Sequence, residues 1–267
     1  MSVSRRSLLF AALRSAPLVG ALAGAAGARA EGVVTVAAAS DLRFALDELV
    51  QIYRATGSRE RVQPVYGASG KLATQIRHGA PFDLFMSADV AFARALHAEG
   101  HAVTKPKLFA LGRLALWSTD ARLAGLTLDD VARHPALQRF AIANPIHAPY
   151  GQRAVEALRH RGLFEALEKR LVLGENVAQA AHFIDSGAAQ AGLVAHSLVL
   201  AQGYAGRGSW SLLPQAWHSP LEQAFVITRH GSASAGTRAF AQFLESAPAR
   251  QVLRRNGLSL PGETASS

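Results

Sequence analysis

Four short segments carry residues whose types and spacing suit the capture of a small anion: Ala39-Ser40-Asp41, Ala68-Ser69-Gly70, Ala148-Pro149-Tyr150-Gly151 and Glu175-Asn176-Val177. In each, small, hydroxyl or amide residues stand where a strand-like run gives way to a helix-like one. The first N–H groups of a helix have no acceptor within it and lie at the positive end of its dipole. Such ends bind anions, and in an open α/β sheet they gather at the carboxyl edge of the strands, where ligands sit. Singly, each turn also fits an ordinary N-cap, because Ser and Asn are preferred there. Together, two in each half of the chain, they fit one oxyanion held between two lobes.

The elements that must position these turns can be read from the hydrophobic pattern. Val33 to Ala38 is a continuous, β-branched run, the mark of a buried parallel strand. Leu42, Ala45, Leu46, Leu49, Val50 and Tyr53 then fall on one helical stripe that stops at Gly57. The alternation continues with a strand over 61–66, a short helix bearing Leu72, Ala73 and Ile76, a strand over 83–86 and a helix capped by Asp89. A second set follows the capping-box start Thr127-Leu128-Asp129-Asp130, with strands at 140–143, 171–173 and 192–195 and helices at 151–159 and 177–185. Alternating strands and helices predict an α/β fold with mostly parallel sheets. Long extended segments at 108–117 and 221–228 bracket the middle block, so the chain is expected to cross to a second lobe and return. The expected division is 31–112 and 226–262 for lobe I, 113–225 for lobe II and 263–267 for a polar, disordered tail.

Composition excludes several classes of function. The chain has 267 residues, 49% of them hydrophobic, and no cysteine. A disordered chain, a disulfide scaffold, a Cys-ligated metal and a cysteine nucleophile are all ruled out. Arg5 and Arg6 precede an Ala-, Leu- and Gly-rich stretch ending in Ala28-Arg29-Ala30, which reads as a secretory signal peptide cleaved after Ala30. Ser4-Arg5-Arg6-Ser7-Leu8-Leu9 also resembles a twin-arginine signal, so both export routes stay open. No cysteine follows to take a lipid, and the mature chain is expected free in the periplasm. The signal peptide contains four arginines and no acid, so its removal lowers a formal charge of +9 to +5. What remains is scattered in pairs such as Arg59 and Arg61 or Lys169 and Arg170, without interleaved aromatics, which argues against a nucleic-acid partner.

The four turns stand in a wider pattern. Val33-x-Val-x-Ala-Ala-Ala-Ser40-Asp-Leu, Tyr66-Gly-Ala-Ser69-Gly-Lys-Leu-Ala-Thr-Gln-Ile and Gly79-Ala-Pro-Phe-Asp-Leu-Phe-Met-Ser-Ala-Asp89 resemble the periplasmic molybdate-binding proteins of ABC transporters. Asn144-Pro-x-x-Ala-Pro-Tyr150-Gly-x-x-Ala, Glu175-Asn-Val177-Ala-Gln-Ala and Gly187-x-x-Gln-Ala-Gly-Leu-Val-Ala195 continue the likeness in order, so it spans roughly residues 33 to 260. The resemblance implies a two-lobed periplasmic binding protein fold of type II, with no enzyme activity and no cofactor. It also implies a monomer that takes molybdate, with tungstate alongside, and passes it to the permease subunits of an ABC importer. It assigns Ser40 and Ser69 as hydroxyl and N–H donors from the first lobe, and Val177 and Tyr150 as N–H donors from the second. The position where many relatives carry a ligand-binding tyrosine is Ala195 here, and the phenol is then expected from Tyr150.

Asp41 is the remaining site residue of that set. A carboxylate ~4 Å from an anion costs about 1 kcal/mol in water and several-fold more in a dry cleft. The expectation is therefore that Asp41 offers only its N–H and turns its side chain outward, toward Arg43 or Lys71. Neutral donors alone further predict an affinity nearly flat between pH 6 and 8. His147 and His196 flank binding turns and are expected to surround the anion rather than contact it. Two other readings compete: a binding protein of the same fold for sulfate, thiosulfate or a small organic anion, and a hydrolase using Ser69. Gly67-Ala-Ser69-Gly-Lys71 fails the G-x-S-x-G elbow at its last position and is one residue short of S-x-x-K. His97 and His101 form the one i,i+4 histidine pair, but Gly100 lies between them and no third ligand is near, so no metal site is expected.

Overall fold

The structure is a computed structural model that describes residues 32–263. The expected signal peptide and residues 264–267 of the expected tail lie outside them. Glu263, which the sequence assigned to the tail, is tied down by accepting hydrogen bonds from Arg254 and from the Leu260 N–H.

The strands in chain order are β1 (Val33–Ala39), β2 (Arg61–Gly67), β3 (Leu84–Ser87), β4 (Lys107–Gly112), β5 (Leu114–Ser118), β6 (Phe140–Ala143), β7 (Leu171–Gly174), β8 (Ala191–Ala195), β9 (Ser209–Leu212) and β10 (Leu221–Ile227). They build two five-stranded sheets, β2-β1-β3-β10-β4 and β7-β6-β8-β5-β9. In each sheet four strands run one way and one, β10 in the first and β5 in the second, runs against them, so the sheets are mixed with most of their strands parallel, as expected. The helices that matter to the site are α1 (Arg43–Ala55), α2 (Ser69–Arg77), α3 (Val90–Ala98), α4 (Leu128–Arg133), α5 (Pro149–His160), α6 (Phe164–Leu167), α7 (Val177–Asp185) and α8 (His196–Val199), with α9 (Ala235–Phe243) and α10 (Ala247–Arg255) closing the chain. The stripe that predicted α1 is the face it buries: Ala45, Leu46, Leu49 and Tyr53.

The first crossing between sheets falls at the expected boundary of residues 112 and 113, and the second lies earlier than expected. The segment 108–117 is not one strand: it breaks at Arg113 into β4 of the first sheet and β5 of the second. The whole of β10 pairs with β3 and β4, so Leu221–Phe225 belong to lobe I and the chain returns before Leu221 rather than at residue 226. A uniform apolar run cannot reveal which sheet it joins, since both sheets demand the same pattern.

Register places the four turns. Ala39 of β1 lies opposite Gly67 of β2, so both strands end level and the turns carrying Ser40 and Ser69 open at one edge. The second sheet repeats the arrangement, with Ala143 of β6 opposite Gly174 of β7, ahead of the turns leading to Tyr150 and Val177. The first turn of α5 lies directly on the end of β6: a Cβ on Gly151 would stand 2.1 Å from the Ala143 carbonyl oxygen. Gly151→Ala must push α5 off its strand. Urea unfolding is expected to show a loss of about 2–3 kcal/mol, the scale of core overpacking.

Candidate functional site

The two edges face one another across a pocket with a cavity volume of about 10 Å³, lined by residues that include Ser40, Asp41, Ser69, Tyr150, Asn176 and Val177. Sites for organic ligands run to roughly 300–1,000 Å³, so the space is far too small for one and leaves room only for a small ion. No Lys, Arg or His lines it among the described residues. Its polarity comes from helix starts. The turn Ser40–Leu42, α2 and α5 begin at Ala39, Ala68 and Ala148, none of which can cap its helix through a side chain. Asn176 at α7 does cap, accepting the Gln179 N–H at 3.1 Å. Alanine at three caps leaves first-turn N–H groups directed at the pocket instead of at a neighbouring side chain.

The two serine hydroxyls are held so that they donate. Ser69 Oγ accepts the Ala88 N–H at 3.0 Å, and Ser40 Oγ accepts the Ala178 N–H at 3.3 Å from the other lobe. A hydroxyl carries one proton and two lone pairs, so an oxygen already accepting an N–H keeps its proton for another acceptor. Further bonds join the lobes around the pocket. The Gly70 N–H donates to the His147 carbonyl at 2.9 Å, and Ser197 Oγ donates to the Asp41 carbonyl at 2.8 Å. Arg153 of α5 pairs with Asp89, the cap of α3, at 2.7 Å, with each side chain 12% exposed. Lys71 pairs with Glu175 at 3.1 Å, both about half exposed. The buried pair carries more of the closure than the wet one, since exposed pairs contribute little.

Asp41 overturns its expectation. It is 1% exposed, and its side chain runs inward, away from Arg43 and Lys71. Its Oδ2 accepts the Tyr150 phenol at 3.0 Å and the Gln223 amide at 2.5 Å. Tyr150 and Gln223 are both buried and require partners, and the carboxylate supplies one to each. The Tyr150 phenol therefore points at Asp41, toward β4 and β10, and Lys71 is taken by Glu175. His147 directs its ring Nε2 to the Glu175 carbonyl, and His196 its Nδ1 to the Gly257 carbonyl; neither ring lines the pocket.

Burial pushes the Asp41 carboxyl up from the ordinary 3.8 to about 6, with the bonds from Gln223 and Tyr150 pulling partly back. The same burial, with Asp41 beside it, raises the Tyr150 phenol well above its usual range. The sequence reading missed Gln223 and the Arg153–Asp89 pair. A lone amide inside the apolar run Leu221–Ile227 was the available sign of the first; the second joins residues far apart in the chain and left none.

Comparison with known proteins finds relatives over most of the chain. The family model described as bacterial extracellular solute-binding protein matches residues 34–259. The molybdate-binding protein ModA of Rhodobacter capsulatus is 37% identical over 195 residues, 72% of this chain and 75% of that one. ModA of Azotobacter vinelandii is 33% identical over 232 residues, 85% of this chain and 90% of that one. The solved structure of the Azotobacter vinelandii periplasmic molybdate-binding protein superposes with a TM-score of 0.80 at 29% identity, covering 85% of this chain and 99% of that one.

The raised carboxyl of Asp41 has a sign. The folded form resists ionisation that the unfolded chain accepts, so the contribution of this group to stability is fully present below about pH 4, is lost as pH rises toward about 6 and stays lost above it. Two units correspond to roughly 3 kcal/mol. Asp41→Asn is expected to gain up to about that much on the wild type between pH 4 and pH 7, as measured by urea unfolding at the two values.

Proposed function

The chain belongs to the bacterial extracellular solute-binding proteins and, among them, to the family of the ModA molybdate-binding proteins, and from that premise we propose that it captures molybdate between its two lobes and delivers it to an ABC importer. The observation that carries the reading is the pocket itself: small, fed by helix starts from both lobes, and free of basic side chains. Ser40 and Ser69 donate hydroxyl and N–H groups, while Asp41, Tyr150 and Val177 donate backbone N–H groups to the oxygens. The metal is reached only through its oxygens. Tungstate, with the same charge and tetrahedral shape, is taken as well. Neutral dipoles fixed in a dry site stabilise a dianion without reorganising, and the absence of a flexible cationic clamp makes cavity size the discriminator.

In this reading the protein works in the periplasm as a monomer after cleavage behind Ala30. No helix among the described residues is long and apolar enough to cross a membrane. The lobes hinge about the Arg113 break and the segment between β9 and β10. Closure on the anion creates the surface that the permease subunits recognise.

Isothermal titration with molybdate, tungstate and sulfate tests the ligand. Heat is expected with the first two and not the third; tight sulfate binding without a molybdate response would sink the assignment. Ser69→Ala, which removes one bond to a charged acceptor, is expected to weaken molybdate about ten- to a hundredfold. Gly70→Ala acts differently: its Cβ would lie 2.8 Å from the His147 carbonyl oxygen across the cleft. Each lobe can fold unhindered, so thermal stability should hold while affinity and the compaction seen by small-angle scattering both fall.

A further inference from the structure

The cluster of Asp41, Tyr150 and Gln223 holds two atoms without partners, and both belong to groups that already touch. Asp41 Oδ1 and Gln223 Oε1 are fully buried and accept no hydrogen bond, while the other atoms of the same two groups, Oδ2 and Nε2, are bonded at 2.5 Å. Two acceptors left over on an acid and an amide that share one bond lack a single proton. Placed on Oδ1, it would let the acid donate to Gln223 Oε1, complete a two-bond acid–amide pair and satisfy both atoms. Left ionised, the carboxylate keeps its charge buried beside a pocket that receives a dianion.

Resting on the molybdate reading above, we propose that Asp41 is a proton-linked positioning residue: the protein takes one proton from solvent onto Asp41 Oδ1 as it closes on the dianion, and gives it back on release. No other bond is made or broken in this step. The neutral acid then keeps its two incoming bonds, holds Tyr150 and so the start of α5 against the pocket, and adds no charge opposing the ligand. The elevated carboxyl of Asp41 agrees with this, and a bound dianion adds repulsion in the same direction.

No charged neighbour supplies the linkage instead. Arg43 of α1 and His182 of α7 are exposed. Arg113 donates to the Leu213 carbonyl, Arg153 is paired with Asp89, and His196 at the start of α8 faces the Gly257 carbonyl. Glu222 precedes Gln223 on β10 and so projects from the opposite face. The phenol of Tyr150 stays protonated throughout, and Ser197 touches only the Asp41 carbonyl. An affinity flat between pH 6 and 8, expected from neutral donors alone, is the opposing outcome.

The test is calorimetric titration of the full mature protein with sodium molybdate, which is a dianion throughout, at pH 6, 7 and 8 and in buffers of different ionisation enthalpy. The wild type is expected to take up close to one proton per anion at pH 7.5, and its dissociation constant to rise nearly tenfold from pH 7 to pH 8. Asp41→Asn, whose amide mimics the protonated acid, is expected to show no uptake, less than a twofold change over that range, and at least fivefold tighter binding than the wild type at pH 8. Heats independent of buffer in the wild type, or a variant that keeps the wild-type slope, overturn the proposal. Binding that is present but flat with pH removes this inference alone, whereas no molybdate heat at any pH removes the function as well. The wild-type buffer series decides the matter even if the variant fails to fold.

Discussion

An unsatisfied N–H at a buried helix start is the interaction on which this molecule turns. A helix exposed to water solves the problem with solvent; a helix that begins inside a closed cleft needs an acceptor brought to it. Here several such starts face one another, and most have alanine where a capping side chain would stand. The lobes are thus each incomplete at the same place. A tetrahedral oxyanion supplies acceptors in the directions from which the helices arrive, and that need explains the small pocket, the level strand ends behind it and the hinge that lets it fill.

The same constraint explains where charge is permitted. Cations close enough to help, Arg153 and Lys71, are each matched to a carboxylate and spent on holding the lobes together rather than on the ligand. The one ionisable carboxyl lining the pocket, Asp41, serves a phenol and an amide instead of solvent. A buried carboxylate that loses a partner costs far more than it contributes when satisfied. Tyr150, reaching from the second lobe, therefore ties closure to the satisfaction of a group in the first.

What the sequence revealed was local. The strand of Val33–Ala39, the stripe of α1, and the turns at Ser40, Ser69, Tyr150 and Val177 all follow from spacing within a few residues, and the structure brings those four turns to one pocket. Long-range pairing was hidden. The inward turn of Asp41 depends on Tyr150 and Gln223, 109 and 182 residues away. Charge repulsion pointed that side chain outward, and the hydrogen-bonding needs of two buried polar groups decided otherwise. The return to lobe I was misplaced for another reason: the apolar run Leu221–Ile227 does not show which of the two sheets it joins.

The matched strand ends carry a consequence for engineering. Because Ala39 meets Gly67 and Ala143 meets Gly174, one edge of each sheet is metrically fixed: inserting or deleting a single residue in any of these strands would swing the following turn through half a pleat and aim its donors at the protein's own core. The opposite edges hold no such obligation. The connections there, around Gly57 between α1 and β2 and around Gly162 between α5 and α6, lie on the surface in relaxed left-handed glycine turns with open space beside them. Length is free at one end of each lobe and frozen at the other, so a fluorescent reporter or an affinity handle belongs at the far edge, where it can ride on the closing motion without touching what causes it.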